Sequence, residues 1–255
     1  MQEISNYIAR ASRHRNRVHL KLRHQLELTV KAQTDNTTCG PTCLEAIYRY
    51  WGHRAELSRI AADVVSLPEG GTLAVWLASD ALKRGFAADI YTYNLNLFDP
   101  TWFTGAPDLK ARLLEQRKAK RDQKLRHATD GYLEYLELGG RLLFRELNPK
   151  LIRQILRKER PILTGLSATY LYDCAREYED EYDDIRGYPS GHFVVVRGYD
   201  REKREVCVAD PLLDNPKYGS HYYDVRIDRL IGAILLGIVT YDANLLVIYP
   251  RDGES

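Results

Sequence analysis

An α+β fold is predicted by three features of the sequence. Leu44, Ile47, Tyr48 and Trp51 fall at i, i+3, i+4 and i+7, which makes one apolar stripe along a helix. His192 opens an apolar, β-branched run to Val196, and Glu205 to Ala209 forms a second such run. The polar turn Asp200 to Arg204 joins the two into a hairpin of buried strands. Helical patterns crowd the first half and strands the second, so helices and sheet are segregated along the chain.

The elements follow in order. Met1 to Arg17 is polar and basic, with Arg10, Arg13, Arg15 and Arg17, and reads as a short helix or a loose N-terminal extension. Val18, Leu20, Leu22, Leu26, Leu28 and Val30 alternate with polar neighbours, as in a strand or hairpin with one buried face. The polar loop Asp35-Asn36-Thr37-Thr38 precedes the helix, with Cys39 expected just outside its first turn and Cys43 about one turn in. Pro41 suits the first turn, where its missing N–H costs nothing, and Gly52 suits the position after the last turn. Leu57, Ile60, Ala61 and Val64 mark a second helix. A third holds Leu73, Trp76, Leu77 and Leu82, with Thr72 as its cap and Gly85 as its end. Phe86 to Tyr93 reads as a strand.

Residues 107–147 have the character of a charged helical insertion. Asp108 to His127 reads as one helix with a thin apolar stripe, and Gly131 to Glu146 as a second arm packed on it. Its basic end, with Lys118, Lys120, Arg121, Lys124 and Arg126, is a solvated face, a lid or a docking site for an acidic partner. Asn148-Pro149 then starts another helix with a cap and a first-turn proline, buried through Leu151, Ile152, Ile155 and Leu156. Pro161 to Leu166 is the strand that precedes the His192 hairpin.

The chemistry concentrates at a few positions. A thiol at a helix N-terminus gains from unpaired N–H groups and the positive end of the helix dipole, both of which favour thiolate. Cys39 has that place, whereas Cys43 reads as a small buried hydrophobe. Gln33, six positions before Cys39, can offer an amide N–H to a developing oxyanion. Gly40 has no side chain to shield Cys39, and Gly191 and Tyr188 flank His192, so these three are the expected substrate-binding positions. His192 starts one arm of the hairpin and Asp210 ends the other. In an antiparallel pair such ends are neighbours. An imidazole held by a carboxylate beside a thiol is the nucleophile, base and orienter of acyl transfer. Asp200 is a second candidate orienter, at the opposite end of the hairpin.

Gln33, Cys39-Gly40-Pro41, Gly191-His192-Phe193-Val194-Val195 and Ala209-Asp210-Pro211 together resemble the papain-like cysteine peptidases that process double-glycine leaders of bacteriocins, and their stand-alone relatives. The resemblance spans roughly residues 28 to 92 and 149 to 250 and leaves the intervening segment uncovered. It implies a papain-like fold in one domain, with the nucleophile helix packed on an antiparallel sheet. It implies Cys39 as nucleophile, His192 as general base and acid, Asp210 as its orienter and Gln33 as shaper of the oxyanion hole. The expected activity is cleavage of a peptide or isopeptide bond through a thioester. An acyl transferase on the same fold, an idle peptide-binding module, and a thiol–disulfide protein built on Cys39-Gly40-Pro41-Thr42-Cys43 are the alternatives.

Composition narrows the partners. The chain has 255 residues and a net charge of +2, which makes no global case for nucleic acid. No apolar stretch approaches the ~20 residues that cross a bilayer. The start of the chain lacks a signal-peptide core, and four cysteines in such a chain read as reduced thiols of a cytoplasmic protein. No metal or cofactor is expected. Residues 173–184 carry seven acidic side chains against one arginine, with tyrosines interleaved, and end close to His192. A peptide or protein substrate, basic where it meets this loop, is the expected partner.

Overall fold

The computed structural model describes residues 22–67, 70–105 and 108–251. The expected extension over residues 1–17 lies outside the described residues.

β1 is only Arg23–Gln25, paired with the far end of the central strand through His24 and Tyr199. The alternation to Val30 persists as burial of Leu26, Leu28 and Val30, but without a long ladder. Helix α1 runs Cys39–Tyr50, and Gly52 follows it at φ +77°, a left-handed conformation that suits glycine. Cys39 is thus the first helical residue rather than one outside the first turn. α2 is Leu57–Asp63 and α3 is Ala74–Lys83. Thr72 does not cap α3: its hydroxyl donates to the Val65 carbonyl at 2.7 Å, and Leu73 stands at the cap position. The strand expected over 86–93 is β2, Phe86–Thr92.

The described residues 108–147 hold two helices packed on each other, with bounds that differ from those expected. Asp108 caps α4, Leu109–Ala119, and Asp122 caps a separate helix α5, Gln123–Glu137. Each aspartate accepts a backbone N–H from three residues ahead, so the chain restarts the helix at 122. Leu125, Ala128, Tyr132 and Tyr135 of α5 are buried in the core. The Tyr135 hydroxyl donates to the Ala88 and Arg141 carbonyls at 2.9 and 2.7 Å. Arg141–Leu143 is β3, paired in parallel with β2.

Pro149–Leu156 is α6, capped by Asn148, whose side chain accepts from Leu151 N at 3.0 Å. β4 is Ile162–Ser167 and α7 is Ala168–Tyr172. A small hairpin follows, β5 (Glu177–Tyr178) with β6 (Glu181–Tyr182). The central strand β7 is Gly191–Asp200, then β8 Glu205–Ala209, β9 Tyr222–Arg226, α8 Ile227–Leu236 and β10 Asn244–Pro250.

The main sheet has the order β3-β2-β10-β4-β7-β8-β9, with β1 also paired to β7. It is mixed rather than wholly antiparallel, because β3 lies parallel to β2. Side chains alternate across it. Phe193 and Val195 join a core with α1, α3 and α5, while Val194 and Val196 join a second core with α6, α7 and α8. Burial on both faces explains the continuous apolar run of β7. Cys43 sits on this floor, its thiol 3.3 Å from the Phe193 carbonyl, and burial pushes its pKa well up. None of the helices among the described residues is long and apolar enough to cross a membrane.

Candidate active site

The N-terminus of α1 faces the start of β7. Cys39 and His192 are both 7% exposed and line the same groove, where Cys39 favours the charged form of the His192 ring. His192 Nε2 is 2.8 Å from Asp210 Oδ1, which leaves Nδ1 for the sulfur side. The hairpin register explains the contact: Val195 pairs with Ala209, so Asp210 leaves β8 beside the first residues of β7. Asp200 is at the other end, paired with Glu205 at the turn.

Asp210 is fully buried, and four donors satisfy its carboxylate. Oδ1 accepts from His192 Nε2 and from Leu212 N at 2.9 Å. Oδ2 accepts from the hydroxyls of Tyr172 at 2.7 Å and Tyr223 at 2.6 Å. Burial alone would raise its pKa, but the charge of His192 and these hydrogen bonds hold it below the usual carboxylate range. Burial likewise works against a charged His192, and Asp210 and Cys39 more than offset it, raising its pKa to about 10.

Gln33 is held beside this group, its backbone N–H donating to the Pro211 carbonyl at 3.0 Å. One amide N–H is turned to the Asp35 carbonyl at 2.9 Å, and its Oε1 is buried without a partner. Gly40 is buried and lies outside the groove lining. A Cβ there would stand 2.8 Å from Thr72 Cγ2, so its role is to admit the Thr72, Leu77 and Phe193 side chains against α1. Gly191 and Tyr188 do line the groove, and Tyr188 is 74% exposed.

The groove has a volume of about 390 Å³ and contains both Cys39 and His192. Glu177 and Asp180 of the acidic segment line one wall. That segment is a braced hairpin rather than a loose loop. Glu177 and Tyr188 exchange two backbone hydrogen bonds, and the Glu177 carboxylate accepts from Ser190 Oγ at 3.0 Å. Asp180 at the tip reaches Asn36 of the loop before Cys39, at 3.5 Å. Asp173, at the root of the segment, is paired with Lys217 and Arg229, each at 3.2 Å.

Asp242 lies on the groove floor, buried, its Oδ1 accepting from Ala74 N at 3.2 Å and Asn244 Nδ2 at 3.3 Å. Burial pushes its pKa up to about 7. The folded state therefore holds a proton that the unfolded chain releases near pH 4, and stability falls as pH rises from there through 7. Asp242→Asn is expected to stabilise the fold by ~1–3 kcal/mol at pH 8 and by almost nothing at pH 4, read by urea unfolding at both.

Sequence reading missed Tyr172, Tyr223 and Asp242. Tyr223 had a usable signal, since a strand at 222–226 pairs with β8 and stands beside Asp210. Tyr172 is 38 positions from Asp210, and nothing local marks it.

Residues 145–227 match the model of the Peptidase_C39 like family. The matched segment holds His192 and Asp210, whereas Cys39 precedes it. Among solved structures, a C39-like peptidase from Bacillus anthracis is similar at 15% identity over 90% of this chain and 98% of that one, with a TM-score of 0.50. Xylellain, a cysteine protease from Xylella fastidiosa, matches at 14% identity, 90% and 86% coverage and a TM-score of 0.47. The peptidase domain of Streptococcus ComA, a bifunctional ABC transporter in a quorum-sensing pathway, matches at 12% identity, 88% and 99% coverage and a TM-score of 0.42. No curated protein matches. The fold is the C39-like, papain-like one: N-terminal helices packed on a mixed sheet.

Proposed function

We propose that this chain is a cysteine peptidase that cleaves a peptide or isopeptide bond through a thioester at Cys39. The observation that carries the reading is that Cys39 and His192 line one groove, with the buried Asp210 hydrogen-bonded to His192 behind it. The Cys39 thiolate attacks the carbonyl carbon, and the C–N bond breaks as imidazolium at His192 gives its proton to the leaving amine. Water then attacks the thioester, His192 takes the water proton, and the acid product leaves with the thiol restored. The Cys39 N–H, unpaired at the start of α1, and the second amide N–H of Gln33 are the donors for the oxyanion. Asp210 holds the ring in place.

The groove also supports a preference for peptides that are basic beside the scissile bond. Glu177 and Asp180 line it together with the exposed Tyr188, against one lining lysine, Lys124.

Labelling tests the nucleophile without a known substrate. Iodoacetamide at neutral pH is expected to modify Cys39 first among the four cysteines, located by peptide mass spectrometry. In His192→Ala the labelling of Cys39 is expected to slow ~10-fold or more, because the thiolate loses its imidazolium partner. Equal labelling rates in both proteins would remove the basis for the reading. With His192 ionised up to about pH 10, the alkaline limb of kcat/KM is expected near that pH.

A further inference from the structure

Two hydroxyls, those of the buried Tyr172 and the half-buried Tyr223, meet the Asp210 oxygen that does not touch His192. We propose that Tyr172 and Tyr223 are positioning residues of the catalytic centre, clamping Oδ2 of Asp210 so that Oδ1 stays aimed at His192 Nε2. The proposal rests on the peptidase reading and adds two residues to it.

The geometry requires both phenols. A carboxylate can turn about its Cβ–Cγ bond, and its terminal torsion is broad and roughly two-fold. Leu212 N and His192 Nε2 hold only Oδ1. Two hydroxyls from different elements, α7 and β9, converge on Oδ2 from separate directions and fix the plane of the group. Their own positions are fixed in turn. Tyr172 ends the short helix that follows β4, and the Tyr223 ring stacks on Tyr218 with centroids 3.8 Å apart and 5° between planes. Burial and the neighbouring carboxylate push both phenols far above their ordinary pKa, so they remain donors throughout the working range.

The clamp also sets how strongly Asp210 holds the imidazolium proton. Each hydroxyl draws charge from the carboxylate, so less is left to attract the ring. The other groups around Asp210 are Cys39 and Cys43 of α1 and His221, whose Nδ1 lies 2.6 Å from the Asp210 carbonyl. None of these donates to Oδ2. A base whose proton is held too tightly is a poor acid for the leaving amine. Removing one hydroxyl therefore raises the His192 pKa and slows proton delivery, without touching the groove.

The test uses the full chain with Tyr223→Phe, Tyr172→Phe and, as a packing control, Tyr218→Phe. Two readouts are taken. In the Cys39→Ala background, the His192 ring is titrated by NMR on histidine-labelled protein, assigned with His192→Gln; this needs no substrate. In the Cys39 protein, kcat and KM are measured against pH on a peptide that it cleaves. Tyr223→Phe is expected to move the His192 titration and the alkaline limb upward by ~0.5 unit or more, and to lower kcat ~10-fold with KM within about two-fold. Tyr172→Phe is expected to do the same, and Tyr218→Phe to move neither. A His192 titration and a kcat that are both unchanged in Tyr223→Phe and Tyr172→Phe overturn the clamp, whatever happens to thermal stability. Full activity in Cys39→Ala overturns the peptidase reading instead, so the two failures are separable.

Discussion

Replacing Cys39 by alanine is expected to lower product formation by ~10⁴-fold or more while leaving peptide affinity within a few-fold. The change removes one sulfur atom at the first residue of α1, a buried site where alanine is a good helix former, so the groove should keep its shape. The other groove residues proposed to bind peptide, Tyr188, Gly191, Glu177 and Asp180, are left unaltered. The variant is therefore also the natural bait. A pull-down with Cys39→Ala is expected to retain a substrate that the unaltered protein releases as product, and mass spectrometry of the two eluates reads the difference. Product formation at an unaltered rate would place the chemistry elsewhere.

Asp210→Ala is expected to lose both activity and stability. Four donors converge on the Asp210 carboxylate, and deleting it leaves a buried imidazole, a buried phenol and a half-buried one without their acceptor. Breaking a buried, hydrogen-bonded pair from one side costs ~3–5 kcal/mol, which urea unfolding would register as a lower midpoint. Asp210→Asn keeps the volume and one acceptor oxygen, so it should unfold nearer the unaltered protein while kcat still falls by ~10²–10⁴-fold. The pair of variants thus divides stability from catalysis. An Asp210→Ala protein with normal kcat would show that the carboxylate only fills the core.

Much of the site was legible because it is built from local patterns. The stripe Leu44, Ile47, Tyr48 and Trp51, with Pro41 near its start and Gly52 after its end, specifies α1 from within its own sequence. The run from His192 and the turn Asp200 to Arg204 specify the β7–β8 hairpin, and hairpin closure then brings residue 192 beside residue 210. The misreadings occurred where two local signals compete or where none exists. Thr72 has a capping side chain but spends its hydroxyl on Val65. The charged stretch 108–127 reads as one helix until Asp122 accepts the N–H of Leu125 and restarts it. Nothing in the sequence around Gln33 marks that one of its two amide N–H groups is bound to the Asp35 carbonyl two residues on.

From its own order, the chain specifies a thiol at a helix start and an imidazole and a carboxylate at adjacent strand ends. Periodicity, turn chemistry and hairpin pairing act over a few residues or across one turn, and these three groups depend on little more. Only the packed molecule decides what lies behind and below them: the two phenols on Asp210, the mixed sheet made by β3, and the carboxyl of Asp242 under the groove. Those contacts join residues from 13 to 168 positions apart. They form because buried polar atoms must find partners in three dimensions, and no short-range pattern records which partner that will be.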